Sequence, residues 1–234
     1  MHRRASIVMT VGVLLLAGTA WGSEKQDERL KDAQQVFQEI MDTPDKGIPQ
    51  DLLARAACVA VIPSVKKLAI GFGGQHGAGY VLCRKNKGKG AWGPPSGFSM
   101  SGGSVGLQLG FSATDFVLLI MNTDGIEKLL QDKFTLGADA SVAAGPVGRS
   151  ATAATDAQMT AKVLGYSRNK GLFAGLALNG AVLRPSGDDN EELYGKKISP
   201  KDILLTGTVA PPAGARGLMQ LLTKYSSSQN KKPL

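Results

Sequence analysis

Histidine, cysteine and aromatic residues are scarce in this 234-residue chain, and each shortage closes off a class of chemistry. The two histidines are His2 and His76, and His2 lies in an apolar leader, so a multi-histidine metal site cannot be assembled. Two cysteines without C-x-x-C spacing exclude a zinc ribbon or a thioredoxin-like motif. A nucleophile built from Cys58 or Cys83 with His76 lacks an identifiable orienting group. Gly88-Lys89 is followed by Gly90, where a phosphate-binding loop needs Ser or Thr. No catalytic residue, metal or cofactor is therefore expected. Aromatic residues make up 6% of the chain, too few for a base-stacking platform, and nucleic acid is not an expected partner.

Long apolar runs are also missing beyond the leader. Arg3 and Arg4, the apolar stretch Ile7 to Ala20, and the small residues of Gly18-Thr19-Ala20 or Ala20-Trp21-Gly22 read as a signal peptide over residues 1–22. The apolar part is short for a membrane span of about 20 residues, and nothing later is long enough. The expectation is an exported protein, periplasmic or secreted and peripherally membrane-associated. One domain over 23–225 and a polar tail over 226–234 complete the division. The formal charge is +8, and it stays positive once Arg3 and Arg4 are removed. Anionic phospholipid is the natural partner for such a surface. Cys58 and Cys83 could form one disulfide in an oxidising compartment or sit as two buried hydrophobes on separate strands.

Glycine is what the chain has in excess: thirteen of the forty residues from Gly71 to Gly110, set among Val, Leu, Phe and Tyr. Such density favours sharply bent, closely approaching β structure. Around it, Glu24 to Met41 reads as an amphipathic helix with Leu30, Ala33, Phe37 and Ile40 on one stripe. That stripe either packs against a sheet or docks on a membrane, although the acidic residues beside it suit anionic lipid poorly. A short helix follows over Gln50 to Ala57, then Cys58 to Ile62 as β structure broken by Pro63. Ser104 to Phe111 alternates as a strand, Thr114 to Met121 and Leu172 to Leu183 read as further strands, and Asp124 opens a short helix. Ser199-Pro200-Lys201-Asp202 starts a helical turn, and Leu218, Leu221, Leu222 and Tyr225 mark a last helix. The fold class is α+β and β-rich: a strongly curved, mainly antiparallel sheet, open or closed like a barrel, with N-terminal, middle and C-terminal helices packed on it.

Two features can meet an anion. The loop Arg84-Lys85-Asn86-Lys87-Gly88-Lys89-Gly90 is basic and is flanked by Trp92, whose indole suits a headgroup interface; Lys66 and Lys67 join it if the preceding hairpin folds back. A solvated hairpin tip is the plain alternative. Arg149, in Gly145-Pro146-Val147-Gly148-Arg149, offers a fork to phosphate or an internal pair with Asp139 or Asp156, and Arg168 offers the same choice.

The segments AACVAVIPSVKKLAIGFGGQHGAGYVLCRK, Trp92-Gly93-Pro94-Pro95, GGSVGLQLG, FTLGADASVAAGPVGR, YSRNKGLFAGLALNGAVL and KDILLTG resemble the SYLF domain in content and order, over roughly residues 30 to 224. The resemblance implies lipid binding, with phosphoinositide-binding eukaryotic members and a yeast member described as binding actin. With its expected signal peptide and no appended Src-homology or FYVE module, the chain is identified as a bacterial, exported, single-domain member. On that identification actin binding is not carried over, and non-catalytic attachment to an envelope membrane is expected. The alternative is a scaffolding envelope protein that contacts another protein through its glycine-faced strands.

Overall fold

The computed structural model describes residues 18–44, 47–70, 72–105, 110–147, 160–168, 178–206 and 208–227. Its centre is a strongly curved sheet with strand order β5-β8-β3-β2-β1-β4-β7-β6, antiparallel except for the β6–β7 pair. The strands are β1 (Cys58–Ile70), β2 (Phe72–Cys83), β3 (Ser96–Val105), β4 (Gly110–Ile120), β5 (Phe134–Thr135), β6 (Val142–Ala144), β7 (Val163–Ser167) and β8 (Val182–Pro185). Of the long central four, β1, β2 and β4 supply both faces with apolar side chains and β3 supplies one.

One face is covered by α1 (Gly18–Asp42), α2 (Gln50–Arg55) and α6 (Arg216–Ser226). Leu30, Ala33, Phe37 and Ile40 of α1 are buried there with Val59, Val61, Tyr80, Val117 and Leu222. The apolar stripe of the first helix is thus spent on the sheet. The other face holds a second cluster, in which Ile62, Phe98, Met100 and Leu118 pack with residues of α4 (Thr123–Leu129) and of a π turn, Asp202–Thr206. Helix α4 is capped by Asn122, whose Oδ1 accepts the Gly125 N–H at 2.9 Å, so it opens one position before the start expected at Asp124.

Pro63 does not break β1. The pairing of β1 slips between Ile62 and Val65 against β4 and between Val61 and Lys66 against β2, a bulge that adds a residue to β1. Ser64 sits in it with φ of 49°, its N–H donated to Asp115 Oδ1 at 2.8 Å. A proline is accommodated where the ladder is already interrupted. The bulge also reverses the facing of the second half of the strand: Ile62 and Val65, an odd number of positions apart, lie in the same core cluster. Gly79 passes so close that a Cβ there would stand 2.1 Å from the Val61 carbonyl oxygen, which excludes any larger residue opposite the bulge.

The alternating run Ser104 to Phe111 is not one strand. Its ends belong to β3 and β4, which are separated in the sheet by the β1–β2 hairpin, and residues 106–109 lie outside the described residues. Of Leu172 to Leu183, residues 172–177 lie outside the described residues, and the strand found is Val182–Pro185. Cys58 and Cys83 face each other across β1 and β2, with Cα atoms 4.0 Å apart, and are joined as a disulfide. Both readings of the cysteines meet here, because the bonded pair is also buried.

A polar cluster ties α1 to β2 and to α5 (Gly187–Tyr194), a helix the sequence pattern does not announce. Buried Gln26 donates to Asp189 Oδ1 at 2.8 Å and to Glu192 Oε2 at 2.7 Å, and its Oε1 accepts the Tyr80 hydroxyl at 2.6 Å. Arg29 Nη1 lies 3.0 Å from Asp189. Burial alone would raise the Asp189 carboxyl, but hydrogen bonds from Gln26 and Arg29 outweigh it and hold the group below its ordinary value. A depressed carboxylate stabilises the fold above its unfolded pKa, near 4, and that contribution is lost as pH falls through the lower folded value. Acid titration below about pH 4 should therefore loosen α1 from α5 in the wild type. In Asp189→Asn the acid-side loss of melting temperature should be shallower, and identical acid profiles would remove Asp189 from the account.

Candidate functional site

The basic loop is built more tightly than a hairpin tip. Its residues Lys85–Gly88 form one helical turn, α3, and Gly90 N–H returns to the Lys85 carbonyl at 2.8 Å. Arg84 is structural: its Nε donates to the Ala56 carbonyl at 3.2 Å and its Nη1 to that of Gly90 at 3.1 Å. Its guanidinium stacks 4.3 Å from the centre of the Trp92 ring, and burial lowers its pKa from the ordinary arginine value. Trp92 is only 4% exposed and donates its indole N–H to Ser226 Oγ at 3.0 Å. It anchors the loop to the end of α6, and this burial corrects the expectation of a headgroup-facing indole. Lys85 and Lys89 remain exposed, and the Lys87 side chain lies outside the described residues.

Helix α3 packs on the π turn, which brings exposed Lys201 and half-exposed Leu205 to the same end of the sheet. Lys66 and Lys67 are elsewhere. Cys83 precedes the loop and pairs with Cys58, whereas Lys66 pairs with His76 farther along β1. At about 3.3 Å per residue the lysine pairs are separated by roughly 25 Å. The hairpin does not fold back, and the cations form two poles.

Arg149 lies outside the described residues. Arg168 forms an internal pair on both sides: Nη2 is 2.7 Å from Asp115 Oδ2, and Nη1 bonds Glu39 of α1. The hydrogen bond from Gln35, followed by that from Arg168, lowers the Glu39 carboxyl, and Arg168 is raised in return, chiefly by its bond to Glu39. This clamp marks where the helical layer meets the β1 bulge, since Asp115 also accepts from Ser64.

Past the clamp the sheet continues. On β1 and β4, Leu68 and Phe111 stand directly opposite each other, 58% and 68% exposed. Lys66 and His76, the preceding cross-strand pair, are exposed on the same side. The apolar pairing is invisible in sequence because it depends on β4 returning beside β1. A second signal could have been read directly: between Asp51 and Asp115 there is no Asp or Glu, while Arg55, Lys66, Lys67, Arg84, Lys85, Lys87 and Lys89 all fall there.

Catalysis finds no support in this geometry. The thiols needed for a cysteine nucleophile are tied in the disulfide, and among the described residues no group of three or more His, Cys, Asp or Glu side chains could hold a metal. The molecule is a β-rich α+β domain.

Comparison with known proteins gives the family. Residues 101–225 match the model described as "Ysc84: Las17-binding protein actin regulator". The chain belongs to this family, the SYLF/Ysc84-like domains. It is 35% identical over 181 residues to LAS seventeen-binding protein 3 of Saccharomyces cerevisiae, covering 76% of this chain and 39% of that protein. It is 32% identical over 184 residues to human SH3 domain-containing YSC84-like protein 1, covering 78% of this chain and 53% of that one. The chain therefore spans between two fifths and about half the length of these relatives. No solved structure matches.

These findings correct three expectations. The curated relatives come from yeasts and mammals, so the identification as a bacterial exported member is withdrawn, with its signal-peptide, periplasmic and secreted terms. Among the described residues, helix α1 (Gly18–Asp42) runs unbroken across the expected cleavage step. The exclusion of actin falls too, because the family is described as an actin regulator. Among the described residues, no helix is long and apolar enough to cross a membrane.

Proposed function

We propose that this chain is a non-catalytic domain that attaches peripherally to anionic phospholipid, phosphoinositides among them, and takes part in actin regulation through a protein partner. The lipid half is carried by the charge of the central strands: β1, β2 and β3 hold Lys66 and Lys67 and no Asp or Glu. Each cation near an anionic surface contributes on the order of 1 kcal/mol at moderate salt. The actin half is supported by the family description and by the names of the yeast relatives.

Co-sedimentation with vesicles tests the first half. The full chain should pellet with phosphatidylserine or phosphoinositide vesicles, pellet poorly with phosphatidylcholine alone, and be released as salt rises. Attachment indifferent to anionic lipid and to salt would refute it. Co-sedimentation with actin filaments, with and without a Las17-type partner, tests the second half. Absence from the pellet in both arms would remove it.

A further inference from the structure

We propose that the outer end of the sheet, centred on the Leu68–Phe111 pair, is the surface that enters the anionic bilayer; this rests on the lipid reading above. Among the described residues only Leu68, Phe111 and Leu205 are large hydrophobics left exposed, and two of these are direct cross-strand neighbours. The next two strands place Gly74 and Gly103 in the same row as Leu68, and a Cβ on either would meet nothing within 4 Å. No side chain from those positions shields the pair. It therefore projects from a low surface beyond the helical layer.

The surroundings say what covers it. Lys66 lies one pair inward on the same face, beside His76, and β1, β2 and β3 contain no acid at all. The nearest carboxylate on β4, Asp115, is already bound by Arg168 and Ser64. Apolar side chains at the tip with cations set back from it match a bilayer's order of acyl region and anionic headgroups. A second copy of the chain is a poor occupant, since it would set Lys66 and the same acid-free strands against themselves. The arrangement also fixes an orientation. Lys85 and Lys89 stand at the opposite pole and face away from a membrane that holds Leu68 and Phe111.

Leu68→Ser with Phe111→Ser in one chain should weaken binding to phosphatidylserine vesicles by about tenfold or more, because both side chains lose their apolar burial. Both positions are exposed, and an unchanged melting temperature would show that the fold is kept. Lys66→Glu should weaken binding, whereas Lys85→Glu with Lys89→Glu should leave most of it. Depth is read independently from an environment-sensitive dye on Phe111→Cys, with the native cysteines held in their disulfide, and from the same dye on Lys85→Cys. The dye at 111 should shift to the blue on phosphatidylserine vesicles, and the dye at 85 should not. Wild-type affinity in the double serine variant, or a blue shift at 85 and none at 111, overturns the assignment while leaving lipid binding intact. Failure of the wild type to bind anionic vesicles overturns the lipid reading itself.

Discussion

Removing the Cys58–Cys83 bond is expected to lower stability by about 3 kcal/mol, the loop-closure contribution for the sequence separation of 25 residues. In a domain of this size that corresponds to a fall in melting temperature of roughly 6–12 °C. The effect should be seen in Cys58→Ala with Cys83→Ala, because the bond is buried and reductant reaches it slowly. It joins the start of β1 to the end of β2 just before Arg84, whose side chain then reaches back to the Ala56 carbonyl. Loss of the bond should therefore also loosen the α3 loop, read as faster amide exchange at Lys85 and Gly90. A melting temperature unchanged in the double alanine variant would show that strand pairing alone closes this loop.

Phe37→Ala is expected to cost about 3–5 kcal/mol, the usual range for emptying a buried phenylalanine site. Phe37 is fully buried between α1 and the sheet and meets the Tyr225 ring of α6 edge-on, with centroids 6.2 Å apart. Truncation leaves a cavity at the junction of two helices and the sheet, so α1 should exchange its amides ahead of global unfolding. Arg55→Ala provides the contrast. Its partner Asp51 and its own side chain are both about two-thirds exposed, and an exposed pair of this kind contributes little. Equal losses in the two variants, measured by denaturant unfolding, would contradict the burial account.

Much of this architecture could be read from residue order alone. The stripe Leu30, Ala33, Phe37 and Ile40 has helical spacing and is buried as such a stripe should be, and the apolar run Thr114 to Met121 falls on β4. What escaped was everything that depends on partners distant in the chain. Pro63 looks like a terminator until the bulge and Asp115 are seen to absorb it. Trp92 looks like an interfacial anchor until Ser226 is found at its N–H. Ser104 to Phe111 keeps a regular alternation, yet β3 and β4 are not neighbours, since the hairpin they flank lies between them. Helix α5 has little apolar periodicity of its own; it is held by Asn190, which accepts the Gly97 N–H at 2.7 Å, and by Gln26 and Arg29 on Asp189.

The extra residue of β1 has one more implication. Side chains alternate strictly along a strand, so the bulge works as a phase switch: excising the single residue Ser64 would turn Lys66 and Leu68 to the opposite face of the sheet and bring Lys67 to the face they now occupy. The same thirteen-residue strand is thus buried core in its first half and carries exposed Lys66 and Leu68 in its second, and one inserted position divides the two.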